Sequence, residues 1–183
     1  KKDSLNVYEY ATGKYTATIV TSDKLIPAGD TAAIPMNSYE FSDDETKILF
    51  ATDDEAIYRR SSKANYYIYD LKNEKLFPLS KNGKQRLASF SPDGSKVAFV
   101  RDNNLFITDI SSNIPDPASR IEAQITTDGM INEIINGATD WVYEEEFEFS
   151  KAFFWSPDGK KIAFASITDF RLGFFPSRIV SVS

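Results

Sequence analysis

The sequence predicts an all-β chain, a partial β-propeller of four-stranded antiparallel blades with one short helical insertion. Three observations predict it. First, one motif occurs three times: Phe41-Ser42-Asp43-Asp44-Glu45-Thr46-Lys47-Ile48-Leu49-Phe50, Phe90-Ser91-Pro92-Asp93-Gly94-Ser95-Lys96-Val97-Ala98-Phe99 and Trp155-Ser156-Pro157-Asp158-Gly159-Lys160-Lys161-Ile162-Ala163-Phe164. Second, the apolar run closing each copy is too short for a helix and is bounded by turns, which suits a strand covered on both sides. Third, further strand signals follow each of the first two copies, at 66–71 and 75–79, then at 105–110 and 121–126. Four strands per repeat, sandwiched between neighbouring sheets, is the pattern of propeller blades.

Taken in order, the chain opens with two strand signals, 7–11 and 14–18, joined by a turn at Thr12-Gly13. Residues 21–38 collect Ser, Pro, Gly, Asp and Asn, so they read as loop with at most one short strand. In two of the three repeats the turn is Ser-Pro-Asp-Gly, where Pro presets φ and Gly supplies φ > 0, so the strand pair returns as a hairpin. Tyr66, Tyr67 and Tyr69 read as blade packing, because aromatics on a strand fill a sheet face. About three and a half blades result, fewer than most closed rings contain, so residues 1–183 read as a single N-terminal propeller fragment.

The repeat spacing locates an insertion. Phe41 and Phe90 are 49 residues apart, whereas Phe90 and Trp155 are 65 apart. The extra length falls around 129–150 and contains Asp140-Trp141-Val142-Tyr143-Glu144-Glu145-Glu146-Phe147. Most acidic runs are simply hydrated. Here Asn136-Gly137 offers a turn, and Trp141, Tyr143, Phe147 and Phe149 offer apolar anchors that would hold the carboxylates in place. Fixed like charges repel, so the cluster implies a cationic ligand.

Composition narrows the chemistry. Lys and Arg number 21 against 27 Asp and Glu, a net charge of −6, which speaks against a nucleic-acid partner and allows a cationic one. Hydrophobic residues make up 42% and aromatics 14%, enough to bury a sizeable core. There is no cysteine, hence no disulfide and no thiolate metal site, and no metal or cofactor motif is present. There is also no histidine and no G-x-S-x-G elbow, so a Ser-His-Asp triad cannot be assembled from these residues and no catalytic residue is assigned among them.

The run 140–147 closely resembles the D-W-V-Y-E-E-E segment of the dipeptidyl peptidase IV family of serine exopeptidases, which is inserted in one blade of the N-terminal β-propeller. The resemblance spans roughly 39–169. It implies that Glu145 and Glu146 grip the free α-amino group of a peptide substrate, and it gives Glu144 no ligand contact. The stretch Tyr58-Arg59-Arg60-Ser61-Ser62-Lys63-Ala64-Asn65-Tyr66-Tyr67-Ile68-Tyr69-Asp70 is similar to the family's R-H-S-Y-x-A-x-Y-x-I-Y-D, whose arginine meets the substrate backbone. Alignment on Ala64 and Ile68 puts that role on Arg59 and leaves Arg60 and Lys63 as solvent-facing charges. Read without the resemblance, Arg59 is equally a strand-edge arginine paired with a surface acid.

By that resemblance the parent protein is a serine peptidase that releases N-terminal Xaa-Pro or Xaa-Ala dipeptides, with its triad in a C-terminal α/β-hydrolase domain that this chain lacks. This chain alone is expected to be inactive. Its expected partners are peptides with a free N terminus, the missing hydrolase domain, and further copies of itself joined through open blade edges. The resemblance also implies an extracytoplasmic location, whether periplasmic, secreted or membrane-anchored. The alternative is a stand-alone propeller-like binding or scaffold module without catalysis, and an endopeptidase or acylaminoacyl relative is disfavoured by the paired glutamates. Residues 170–183 do not follow the family pattern and are read as a divergent strand, an altered reading frame or an end of the chain.

Overall fold

The structure, a computed structural model, describes residues 3–111, 120–168 and 177–182. These residues form one two-stranded and three four-stranded antiparallel sheets, with a single α-helix. The hairpin pairs β1 (Ser4–Tyr8) with β2 (Tyr15–Thr21). The first full blade runs β3 (Ser38–Phe41), β4 (Lys47–Ala56), β5 (Ser62–Asp70) and β6 (Lys75–Pro78), each strand pairing with the next. The second repeats the order with β7 (Arg86–Phe90), β8 (Lys96–Arg101), β9 (Asn104–Asp109) and β10 (Glu122–Gln124).

The third blade departs from that plan in a way that matters for the site. Its central strand β13 (Lys161–Thr168) pairs on one side with β14 (Ser177–Ser181). On the other side it pairs with two short strands, β12 (Phe153–Trp155) against 162–164 and β11 (Ile134–Asn136) against 166–168. One strand position is therefore filled by two pieces, and the helix α1 (Trp141–Phe147) is carried on the excursion between them. Of the atypical run 170–183, the residues 177–181 are strand, and the expectations for 170–176 and 183 lie outside the described residues.

Sandwiching explains the apolar runs. Successive strand residues point to opposite faces, so in β4 Ile48 and Phe50 meet a core with Val20, Leu25, Ile34 and Met36, while Leu49 turns to the second blade. In β8, Val97 and Phe99 join Leu49, Ile68 and Phe77, whereas Ala98 and Val100 join Phe153, Ile162 and Phe164. Between β2 and β3, residues 22–37 contribute a 3-10 turn at Ser22–Lys24 and no β-strand, yet Leu25 and Met36 are buried. They cover the first blade rather than merely connecting to it.

The repeated turns share a polar lock. Ser42, Ser91 and Ser156 each donate Oγ–H to the Asp two residues on, at 2.6 Å in every copy. Each Oγ in turn accepts the amide of Lys47, Lys96 or Lys161, at 2.9 to 3.0 Å. Gly94 and Gly159 take φ of 63° and 67°, and Glu45 adopts 55° where the first copy has no glycine. Side-chain hydrogen bonds to Asp44 hold that turn despite the missing Gly.

Candidate functional site

The excursion between β11 and β12 is closed at its base like a stem. Gly137 N–H donates to Ala165 O, Ala152 N–H to Gly137 O and Ala165 N–H to Ala152 O, all at 2.9 to 3.0 Å. Gly137 is required there, because its φ is 75° and a Cβ would sit 3.2 to 3.4 Å from Val100, Leu105 and Phe153. Thr139 adds two bonds across the stem, from its N–H to Ser150 O (3.0 Å) and from Oγ1 to Phe149 O (2.9 Å). Lys151 reaches the second blade, donating to Ser89 Oγ at 2.8 Å.

Asp140 starts α1 as its N-cap, accepting from Tyr143 N–H at 3.0 Å, and Glu148 ends it in the left-handed conformation with φ 57°. A helix turns ~100° per residue, so the three glutamates cannot share one direction. Glu144 points into the protein and is 1% exposed. Glu145 is half-buried and Glu146 exposed, and both line a cleft of about 500 Å³ with Tyr58, Arg59 and Trp141. Arg59 Nη1 lies 3.7 Å from Glu145 Oε2. Residues 86 positions apart in the chain thus meet in one cleft, and among the described residues Glu145, Glu146 and Arg59 are all in it.

Two expectations about this stretch need correction. Trp141 and Phe147 do not anchor the helix, since they are 56% and 63% exposed, while the half-buried Tyr143 lies 5.3 Å from Phe147 and 5.8 Å from Phe149. Nor do the carboxylates crowd about one point; among the described residues no three acidic, His or Cys side chains converge as a metal site would require. The helical phase separates the charges, and the anchor is a charged residue, Glu144. Its Oε1 accepts the backbone N–H of Arg60 at 2.7 Å.

Arg60 is held a second time, its Nη1 lying 3.1 Å from Glu148 Oε1. Glu144 and Glu148 are one helical turn apart and face the 57–61 turn, which is closed by Ile57 N–H and Tyr58 N–H donating to Ser61 O. Lys63 pairs with Glu55 at 2.8 Å. Arg86 is buried nearby in the wall of a neighbouring cleft, and among the described residues its Nε and Nη2 have no hydrogen-bond partner, nor does Glu144 Oε2. Burial holds the Arg86 guanidinium below its ordinary pKa, opposed by Tyr58, Glu144 and Tyr66. Sequence reasoning missed Tyr58 as a cleft wall and Glu144 as the buried partner of the Arg60 amide; the helical spacing of three adjacent glutamates was the available signal.

A second cleft of about 980 Å³ shares Tyr58 and Trp141 with the first and is lined also by Arg86, Asp140 and the ends of all three blades.

Residues 42–173 match the family model described as the dipeptidyl peptidase IV N-terminal region. A probable dipeptidyl-aminopeptidase B of Chaetomium globosum is 41% identical over 140 residues, 74% of this chain and 14% of that protein. A probable dipeptidyl peptidase 4 of Aspergillus clavatus is 36% identical over 166 residues, 88% of this chain and 19% of its own length. The crystal structure of Porphyromonas gingivalis dipeptidyl peptidase 4 superposes with a TM-score of 0.79 at 35% identity, covering 99% of this chain and 26% of that one. The chain therefore spans about a quarter or less of each of these proteins. Sequence match, blade architecture and superposition agree, and the chain belongs to the dipeptidyl peptidase IV N-terminal region family.

Proposed function

We propose that this chain is the part of a dipeptidyl-peptidase-IV-type serine exopeptidase that recognises the substrate's N terminus. The observation that carries the reading is the convergence of Glu145, Glu146 and Arg59 on one cleft. Two carboxylates present acceptors to a primary ammonium, whose three N–H donors match them. Arg59 supplies a planar donor for a backbone carbonyl one residue further along the peptide. Its contact with Glu145 is long at 3.7 Å and the arginine side chain is 79% exposed, so little energy holds the pair together and the guanidinium is free to turn to a ligand.

Holding both the ammonium and that carbonyl fixes how far a peptide reaches toward a nucleophile, which makes cleavage exopeptidic by geometry. The nucleophile, its histidine and the acid belong to the α/β-hydrolase domain of the parent polypeptide. Names of the relatives support a peptidase parent, and these 183 residues include no histidine to serve as the base.

In the full-length polypeptide, Glu145→Gln and Glu146→Gln should each lower kcat/KM for Gly-Pro amides about ten- to a hundredfold, because a charge-assisted hydrogen bond contributes ~1.5–3 kcal/mol. Turnover should fall as pH rises past the peptide α-amino pKa of about 8, and N-acetylated peptides should be poor substrates at any pH. Glu74→Gln, at the far end of β5 and paired with Lys24, serves as the control. Equal cleavage of acetylated and free peptides would refute the amine clamp.

A further inference from the structure

The clamp and the arginine sit on different blades, and something must hold them in register. Glu145 and Glu146 ride on α1, on an excursion of the third blade, while Arg59 sits in the turn between β4 and β5 of the first. Among the described residues Arg59 has only its long contact to Glu145, and it is itself mostly solvated. Its neighbour is better tied. The Arg60 amide is bound by a carboxylate that is 1% exposed, and the Arg60 guanidinium by Glu148.

A buried carboxylate is an expensive way to accept one amide hydrogen unless a second cation is near. Arg86 is the buried cation nearest to hand: it starts the first strand of the second blade and lines the larger cleft with Tyr58, Asp140 and Trp141, and the charge of Glu144 opposes the lowering of its pKa by burial, although among the described residues no ion pair joins the two. Arg60, Glu144 and Arg86 thus belong to three different blades, and Glu144 touches the first through Arg60.

We propose that Glu144, supported by Arg86, is a positioning residue that fixes the 57–61 turn against α1 and so sets Arg59 at the right reach from Glu145 and Glu146. It touches no ligand and works through Arg59. This rests on the function proposed above. It also means that Glu144 is no neutral comparison for its two neighbours in the triplet.

The test uses the full-length polypeptide. Glu144→Ala should lower kcat/KM for Gly-Pro amides about ten- to a hundredfold, the loss expected for a charge-assisted bond to a buried acceptor. Because the effect passes through Arg59, Arg59→Ala and the double variant Arg59→Ala/Glu144→Ala should have the same kcat/KM, although the double variant melts lower. Glu144→Ala leaves Arg86 buried and uncompensated and could unfold, so Glu144→Ala/Arg86→Met removes both charges together. That variant should regain thermal stability without regaining activity.

Independent losses that multiply in the Arg59→Ala background, or activity that returns together with stability, would overturn the proposal. A readout without turnover separates it from the function itself. Hydrogen exchange of the 57–61 segment should be at least about tenfold faster in Glu144→Ala/Arg86→Met than in wild type. If Glu145→Gln leaves peptidase activity intact the amine clamp is wrong, and exchange alone then decides the anchor: unchanged exchange refutes it.

Discussion

Strands β8 and β13 hold the same place in the repeat, yet their surroundings differ. In β8, Val97, Ala98, Phe99 and Val100 are all fully buried, because the first blade covers one face and the third covers the other. In β13, Ile162 and Phe164 are buried against the second blade, but Ala163 is only half-buried. Ala163 is registered between Phe154 and Ile179, which are 64% and 71% exposed. One motif gives a core strand or a surface strand according to its neighbours. Burial here is a property of the stack, as in other repeat architectures.

The comparison is broken most severely at the doubly covered strand. Phe99 is fully buried and stacks on Phe106, with centroids 5.6 Å apart and planes within 7°. Phe99→Ala should destabilise the protein by about 3–5 kcal/mol through lost burial and a residual cavity. Urea unfolding followed by tryptophan fluorescence measures it, and a loss below ~1 kcal/mol would mean that the two blades do not close on this ring.

A smaller effect tests the turns. Burial alone would raise the Asp93 carboxyl pKa, but hydrogen bonds from Ser91 Oγ and from Ser95 N–H and Oγ–H, with Lys96 nearby, outweigh it and leave it lowered. Asp44 is lowered chiefly by its Ser42 bond, and Asp158 likewise by Ser156. Groups whose folded pKa is depressed stabilise the fold above the unfolded carboxylate pKa of about 3.9 and lose that contribution as pH falls through the folded value. Stability should therefore decline from about pH 5 downward. Asp93→Asn should flatten part of that decline at a cost of about 0.5–1 kcal/mol at neutral pH, the lower end reflecting solvent screening. An unchanged acid limb in the unfolding midpoint would show that the lock is not carried by charge.

The scaffold was legible because its signals are periodic. Three copies of one motif gave the hairpins, two-sided apolar runs gave the sandwiched strands, and the unequal spacing gave the insertion and its helix. What escaped was what depends on direction or on a distant partner. Glu144, Glu145 and Glu146 are identical letters, and only helical phase distinguishes the buried one from the two in the cleft. The aromatic flanks resembled anchors because apolar residues usually are, whereas Trp141 and Phe147 remain largely exposed. The split of one strand position into β11 and β12 left no mark on composition. The burial of Leu25 and Met36 within a Pro- and Gly-containing loop likewise depended on a blade face lying open beside it.

The bare face of the third blade gives the smallest change in stability and the sharpest test of the stacking argument. Phe154, Ala163 and Ile179 form one apolar row across β12, β13 and β14, in the position where β8 presents Ala98 to a neighbour. Exposed apolar rows on sheets recruit other sheets, so this chain should self-associate through that face. Phe154→Ser and Ile179→Ser each remove a side chain that is already mostly solvated, so unfolding free energy should move by no more than about 0.5 kcal/mol. Association should respond far more: light scattering should show the wild-type weight-average mass rising with concentration and the double variant remaining at 20.6 kDa. The matched variant Val100→Ser, inside the covered face of β8, should do the reverse and lower stability. Should the double serine variant associate as strongly as wild type, the row is not the contact, and association would have to run through strand edges instead.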